Sequence, residues 1–396
     1  MEIKKYLPSV IIMVFASALL YLYAGDYSSG GSGKSAASLR EGPANVESGS
    51  IAAPSDEKVV YDDAVKNNAD IFNDHSLLYS YVKKFGVAAA LNQLFSLEAK
   101  YVNCHEPAHY VGRYAYEIYD IKAFGECAML CQSGCYHGAV EAFFKEHGTA
   151  NLEKNLNEMC ADLTNLFIKH QCLHGMGHGL LAWSSYQLFE ALESCELLKV
   201  VSDRDSCFTG VFMENVVQAM AKFLGLAGHI TDYLKDDDPH YPCDIVSQKY
   251  QPTCYFLQTD HMAKIFGGDF SKVASSCAEV EYEHARRSCF ESTGRTVGSY
   301  NRKNPAGAIR DCSKIPAEDM RNLCFRGAVQ DSFWDPSGKD LAIKFCRLLA
   351  DVSAKGTCYQ TIFERASQVF STAKELKEFC SSVEEKYQKQ CPGQTY

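Results

Sequence analysis

Residues 304–334 read NPAGAIRDCSKIPAEDMRNLCFRGAVQDSFW, and the stretch has the grammar of a helical hairpin. The spacing predicts a first helix near Ala306–Cys312. Lys314-Ile315-Pro316 ends it, because proline stops a helix and biases its predecessor away from helical angles. A second helix starts at Ala317-Glu318-Asp319, where the carboxylates favour the positive end of the helix dipole, and runs through Cys324 to Phe333. Residues 281–297 follow the same grammar. The first cysteine thus falls late in the first helix and the second about two turns into the next. Antiparallel packing of the two helices brings such positions to the ~5.5 Å between Cα atoms that a disulfide spans.

Working outward, the same pair recurs: Cys160 with Cys172, Cys195 with Cys207, Cys243 with Cys254, Cys277 with Cys289, Cys312 with Cys324, Cys346 with Cys358, and Cys380 with Cys391. Each pair is expected to form a disulfide. The step within a pair is 12 residues, or 11 in the third and last, and the step between pairs is 34 or 35, with one of 48 after Cys195. A fixed period of this size marks a stacked array. The expected fold is therefore all-α: a disulfide-stapled α-solenoid of helical hairpin repeats with a period of about 34–35, preceded by an N-terminal transmembrane helix. The hairpin repeats with paired cysteines are assigned to residues 151–396. Each bridge closes a loop of about a dozen residues and is expected to contribute ~2–4 kcal/mol. After the second cysteine, Cys135-Tyr136-His137-Gly138, Cys172-Leu173-His174-Gly175, Cys207-Phe208-Thr209-Gly210 and Cys324-Phe325-Arg326-Gly327 recur. Glycine is costly inside a helix, so this position predicts a close helix contact.

Residues 59–150 hold modified repeats and the first metal motifs. Helices are predicted around Ser76–Phe85 and Val87–Tyr101. Position favours Cys127 as the partner of Cys135, which leaves Cys104 and Cys131 for each other, but four cysteines allow three pairings and the sequence leaves them open.

The N-terminus sets the expected compartment. Lys4 and Lys5 precede 19 mostly apolar residues, Tyr6–Ala24, close to the ~20 that span a bilayer. The lysines put that end in the cytoplasm and export the rest, to the periplasm or cell exterior. Cleavage as a signal peptide after Ala24 would place Leu22 where a small residue is needed, which favours an uncleaved anchor over residues 1–24. Residues 25–58, rich in Gly, Ser and Ala, read as a disordered tether. Eighteen cysteines at even spacing fit an oxidising compartment. Cysteine-ligated zinc is disfavoured, since the ladder has no C-x2-C spacing. A net charge of -10 without any basic run of five argues against a nucleic-acid partner.

Seven of the 12 histidines lie between residues 105 and 178. Three motifs concentrate them: Cys104-His105-Glu106-Pro107-Ala108-His109, Cys135-Tyr136-His137 with Glu141, and Cys172-Leu173-His174-Gly175-Met176-Gly177-His178. Each carries two potential ligands four residues apart, which share one helix face. The expected ligands are His105, His109, His137, Glu141, His174 and His178, converging if the three helices are neighbours. A lone buried histidine is more often a satisfied core residue. Here the repeats supply a control, because the positions of His137/Glu141 and His174/His178 carry Thr209/Met213, Phe256/Asp260, Glu291/Arg295, Arg326/Gln330 and Gln360/Glu364 in later copies. The hairpin does not need histidine there. The first motif is off register, its histidines one residue early relative to the cysteine.

Gly177 and Gly179 have no place in the repeat pattern and suggest close approach of backbone or ligand. His170 could extend the His174 face, but its place near the helix start favours partial exposure. Glu106, Tyr110 and Tyr136 adjoin ligand candidates and could orient them, while Glu106 equally suits the helix start. Asp236-Asp237-Asp238 reads as an exposed acidic loop rather than a calcium site. Imidazoles with a carboxylate suit a transition metal such as iron, copper or zinc. The expected function is that of a membrane-anchored, extracytoplasmic, metal-dependent oxidoreductase or hydrolase with a mono- or dinuclear histidine site. The alternatives are a non-enzymatic solenoid that binds a protein partner on its surface, and metal storage or delivery.

Overall fold

The computed structural model describes residues 74–97, 104–128, 130–148, 150–223, 231–301, 303–333, 338–370 and 372–392. The anchor expected at 1–24 and the tether at 25–58 lie outside them. Among the described residues no helix is long and apolar enough to cross a membrane.

The described residues are helical, without a β-strand. Contacts divide the chain between Ala139 and Val140 into two units. In the first, α1 (His75–Phe85), α2 (Val87–Leu97) and α3 (His105–Tyr119) pack on one another. The short α4 (Ala123–Glu126) follows, then α5 (Gly134–His147), inside which the division falls. Asp74 caps α1 by accepting from the backbone N–H groups of Ser76 and Leu77 at 3.1 and 3.0 Å. Helix α2 is described as far as Leu97, and its expected continuation to Tyr101 lies outside the described residues.

The second unit is a run of hairpins. Their first helices are α6 (Leu152–Met159), α8 (Leu188–Cys195), α11 (Phe270–Glu279), α13 (Pro305–Cys312), α15 (Lys339–Leu348) and α17 (Ala373–Ser382). Their second helices are α7 (Leu166–Trp183), α9 (Val201–Phe223), α10 (Gln251–Ile265), α12 (Glu283–Tyr300), α14 (Glu318–Ser332), α16 (Val352–Val369) and the short α18 (Glu385–Gln388). The second helices from α7 to α16 stack each on the next, and the first helices pack along the stack. The 48-residue copy replaces its first helix with turns around Cys243. In the copy quoted first, Pro305 and Glu318 begin the two helices, with Asn304 capping the former. Pro305 tolerates this place because the first-turn N–H has no helical partner.

Nine disulfides use every cysteine. In the ladder Cys160 bonds to Cys172, Cys195 to Cys207, Cys243 to Cys254, Cys277 to Cys289, Cys312 to Cys324, Cys346 to Cys358, and Cys380 to Cys391. Their Cα–Cα distances run from 5.4 to 6.0 Å. In the regular copies the first cysteine lies late in, or just after, the first helix of its hairpin. The second, such as Cys289 on α12 or Cys358 on α16, lies about two turns into the next. Cys254 departs from this place: it sits in the first turn of α10, and its partner Cys243 lies in a turn rather than a helix. The last pair shares the 11-residue step although its first helix is present, and Cys391 lies just beyond the short α18. The remaining four cysteines pair as Cys104 with Cys131 and Cys127 with Cys135. Such density fits an oxidising, extracytoplasmic environment.

Glycines set how closely the second helices cross. A Cβ on Gly210 of α9 would collide with the carbonyl oxygen of His174 on α7, and one on Gly177 of α7 with the carbonyl oxygen of Cys207. The same reciprocal pair recurs where Gly327 of α14 faces the Glu291 carbonyl and Gly294 of α12 faces that of Cys324. In the first unit Gly138 faces the His109 carbonyl and Gly112 that of Cys135. Gly177 is therefore a helix-packing residue rather than a sign of ligand approach. Gly179 is too, since a Cβ there would meet Val140 and Phe144 side chains at 2.8 and 2.9 Å. These crossings also define a register that the cysteine spacing hides. The residue three before the earlier glycine is His109, His174 and Glu291 in the three crossings. His109 thus matches His174, and His105 matches His170 one turn earlier.

Candidate metal centre

In the first unit the histidines come from both sides of a glycine crossing. His105 opens α3 and His109 follows one turn later, while His137 sits on the first turn of α5. Their candidate ligand atoms lie within 4.8 Å of one another. The His105 and His109 Nε2 atoms are 3.2 Å apart, and both rings stand 5.2 Å centroid to centroid from His137. His109 and His137 are buried, and His105 is half-buried. Two cysteines brace His105. Cys104 precedes it, Cys131 is disulfide-bonded to Cys104, and the Cys131 carbonyl accepts a hydrogen bond from His105 Nδ1 at 3.1 Å. A carbonyl only accepts, so Nδ1 carries the proton and Nε2 the lone pair.

In the second unit α7 presents His170, His174 and His178 along one face, all buried. Each is held by its Nδ1 to a residue of α9. His170 bonds Ser206 Oγ at 2.8 Å, His174 bonds Thr209 Oγ1 at 2.7 Å, and His178 bonds Glu214 Oε2 at 2.7 Å. The Ser206 and Thr209 hydroxyls give their own protons to the carbonyls of Ser202 and Ser206. They can therefore only accept from imidazole, and a carboxylate likewise accepts. Nδ1 is thus a donor nitrogen in all three rings. The Nε2 atoms of His174 and His178 meet 3.1 Å apart, a distance that calls for a proton or a metal ion between them.

Several expectations change. His170 is buried and hydrogen-bonded rather than partly exposed. Glu141 lies one turn after His137 and is half-buried, but it joins no group of three close ligand atoms among the described residues. Of the expected orienting residues, Tyr136 gives its hydroxyl to the Cys127 carbonyl at 2.8 Å, and burial pushes its pKa up. Tyr110 packs on His75 and under Arg113, and Glu106 is exposed in the first turn of α3. The orienting groups are instead Thr209, Glu214, Ser206 and the Cys131 carbonyl. Thr209 carried a signal in the sequence, since it holds the repeat position of His174 in the next copy. Asp236 and Asp237 are exposed, as expected of an acidic loop.

One later crossing, that of α12 and α14, is filled with a salt bridge. Arg326 Nε on α14 lies 3.1 Å from Glu291 Oε1 on α12, at the repeat positions of Thr209 and His174. Burial pushes the Glu291 carboxyl up, opposed by Arg326 and Arg295. A fixed guanidinium thus supplies positive charge where the early copies offer imidazole nitrogens.

The donor spacing fits a transition ion. With metal–nitrogen bonds of about 2.0–2.1 Å, nitrogens 3.1 to 3.2 Å apart subtend about 95–105° at the ion, between octahedral and tetrahedral angles. No family model, curated protein or solved structure matches this chain.

Proposed function

We propose that this chain is an exported metalloprotein in which the histidines of α3 and α5, and the His174/His178 pair of α7, each take a transition-metal ion, and that these ions serve a redox or hydrolytic reaction. One observation carries the reading: with Nδ1 engaged by Thr209 and Glu214, the Nε2 atoms of buried His174 and His178 face each other at 3.1 Å. Two imidazole nitrogens at that distance share a cation, and a transition-metal ion can take the place of the proton. A catalytic role is favoured over a structural one because nine disulfides already staple the hairpins, and because one later crossing is built with Glu291 and Arg326 instead of histidine. The neutral nitrogen donors suit copper, zinc or iron. When bound, such an ion supplies a Lewis-acidic or redox-active centre. The chain's own part is to hold the imidazoles in a fixed orientation through Thr209 and Glu214.

The test is metal analysis of the disulfide-intact protein after reconstitution with each of the three metals. Binding of two ions per chain is expected, with one lost in His105→Ala/His109→Ala and the other in His174→Ala/His178→Ala. Less than one ion per chain, or loading unchanged in both double variants, overturns the reading.

A further inference from the structure

The copy that contributes α9 has no histidine at its ligand positions, only Thr209 and Met213, and by sequence alone it looks like inert scaffold. Yet every histidine on the inner face of α7 is anchored to it. We propose that Thr209 and Glu214 are positioning residues for the metal at His174 and His178, so that the site is a product of two successive repeats, one carrying ligands and the other orienting them. The proposal rests on the metal reading above.

Three observations carry it. First, the contacts are serial: Ser206, Thr209 and Glu214 take the Nδ1–H groups of His170, His174 and His178 in order along the two helices. Second, the acceptors are themselves fixed. Thr209 gives its hydroxyl proton to the Ser206 carbonyl at 2.6 Å, which leaves its oxygen to accept from His174. The Glu214 side chain is 12% exposed, so its carboxylate acts on His178 with little screening by water. Third, the glycine crossing places the acceptors. Gly210 lets α9 approach the His174 backbone, and Thr209 is the adjacent residue. Without that approach a threonine side chain would not reach the ring.

The chemistry follows. An imidazole binds a metal through one nitrogen only when the other holds the proton. A partner that accepts from Nδ1 therefore selects Nε2 as the ligand atom and fixes the plane of the ring. A carboxylate partner also makes the imidazole a stronger donor. His178 has the carboxylate and His174 the hydroxyl, so the two ligands differ in donor strength. Glu214 in addition brings one negative charge close to a cation otherwise held by neutral nitrogens.

The experiment measures cobalt(II) and zinc(II) affinity of the full disulfide-intact chain by competition with a chromogenic chelator, alongside the cobalt d–d absorption spectrum. Thr209→Val and Glu214→Gln are each expected to weaken binding roughly 10–100-fold and to alter the cobalt spectrum. Thr209→Ser, which keeps the oxygen, is expected to restore both. Thermal unfolding of the metal-free variants separates a local effect from a folding defect. Affinities within about threefold of the unsubstituted chain in both variants, with unchanged spectra, overturn the proposal, as does failure of Thr209→Ser to restore binding when it folds normally. If His174→Ala/His178→Ala also leaves cobalt binding unchanged, the metal reading itself is what has failed.

Discussion

Replacing Gly210 by alanine tests how much the close crossing of α7 and α9 matters. Alanine is the better helix former by about 1 kcal/mol, so on local grounds the change is stabilising. Tertiary packing opposes it. The new Cβ would lie 2.8 Å from the His174 carbonyl carbon and 3.0 Å from the Gly177 Cα, with the His174 carbonyl oxygen nearer still. All of these are backbone atoms, so no side chain can swing aside. Carbon atoms need about 3.5–4.0 Å, so α9 must retreat by roughly 0.8 Å or more. The adjacent Thr209 Oγ1, now 2.7 Å from His174 Nδ1, would move to roughly 3.5 Å, where a hydrogen bond is lost. Overpacking of this kind costs about 1–3 kcal/mol. Net of propensity, a fall of up to about 2 kcal/mol is expected, read as a drop in Tm of up to several degrees in the metal-free, disulfide-intact protein. Metal affinity should fall with it by roughly tenfold or more, because the ring loses its anchor. Gly356→Ala is the matched control. It also lies within a helix, α16, but a Cβ there meets nothing within 4 Å, so it should raise stability by up to about 1 kcal/mol. If Gly210→Ala proves as stable as Gly356→Ala and binds metal normally, then the crossing is looser than described and the positioning of His174 by packing is refuted.

Two further outcomes probe the electrostatics. Burial, aided by Glu196, pushes the Asp205 carboxyl up to about 6, against a stabilising Arg204. The folded state therefore binds its proton more tightly than the unfolded chain, and the native protein should lose stability as pH rises from about 4 to about 6. Asp205→Asn should then be more stable than the unsubstituted chain at pH 7 by roughly 1–2 kcal/mol after solvent screening, with the difference gone below about pH 4; urea unfolding at both pH values measures it, and equal stabilities at pH 7 would contradict the shift. The Glu291–Arg326 pair is largely buried. Arg326→Met should destabilise by roughly 2–4 kcal/mol, and adding Glu291→Met should recover most of the loss, because the cost lies in the stranded carboxylate. A double variant no more stable than the single one would show that the pair itself, not burial of an orphan charge, holds α12 to α14.

Much of the architecture was legible because it is written locally. A cysteine late in one helix, a breaking turn such as Lys314-Ile315-Pro316, and a second cysteine two turns into the next helix lie within one hairpin, where chain connectivity leaves few arrangements. The same spacing recurs from Cys160 to Cys391. The candidate ligands were legible as side chains four apart on one helix face, and the later copies showed that His174 and His178 are not demanded by the fold. The cysteine-based register failed for the first motif, because the Cys104–Cys131 and Cys127–Cys135 pairs do not follow the ladder's spacing. The expected orienting residues failed for a related reason. Glu106, Tyr110 and Tyr136 are neighbours of ligands along the chain, whereas imidazoles are held by residues across a helix contact.

Sequence alone determined that this chain makes helical hairpins, each closed by its own disulfide, with histidines clustered in the early copies. Those features depend on residues within about one period of each other, so spacing is enough to specify them. Tertiary structure decided which nitrogen of each ring faces its neighbour, that Gly177 is there to let helices touch, and that the histidines of one repeat are hydrogen-bonded to a repeat without ligands. These depend on which atoms meet across α7 and α9, some 35 residues apart in the chain. Interdigitation of side chains fixes that meeting, and no periodicity in the sequence encodes it.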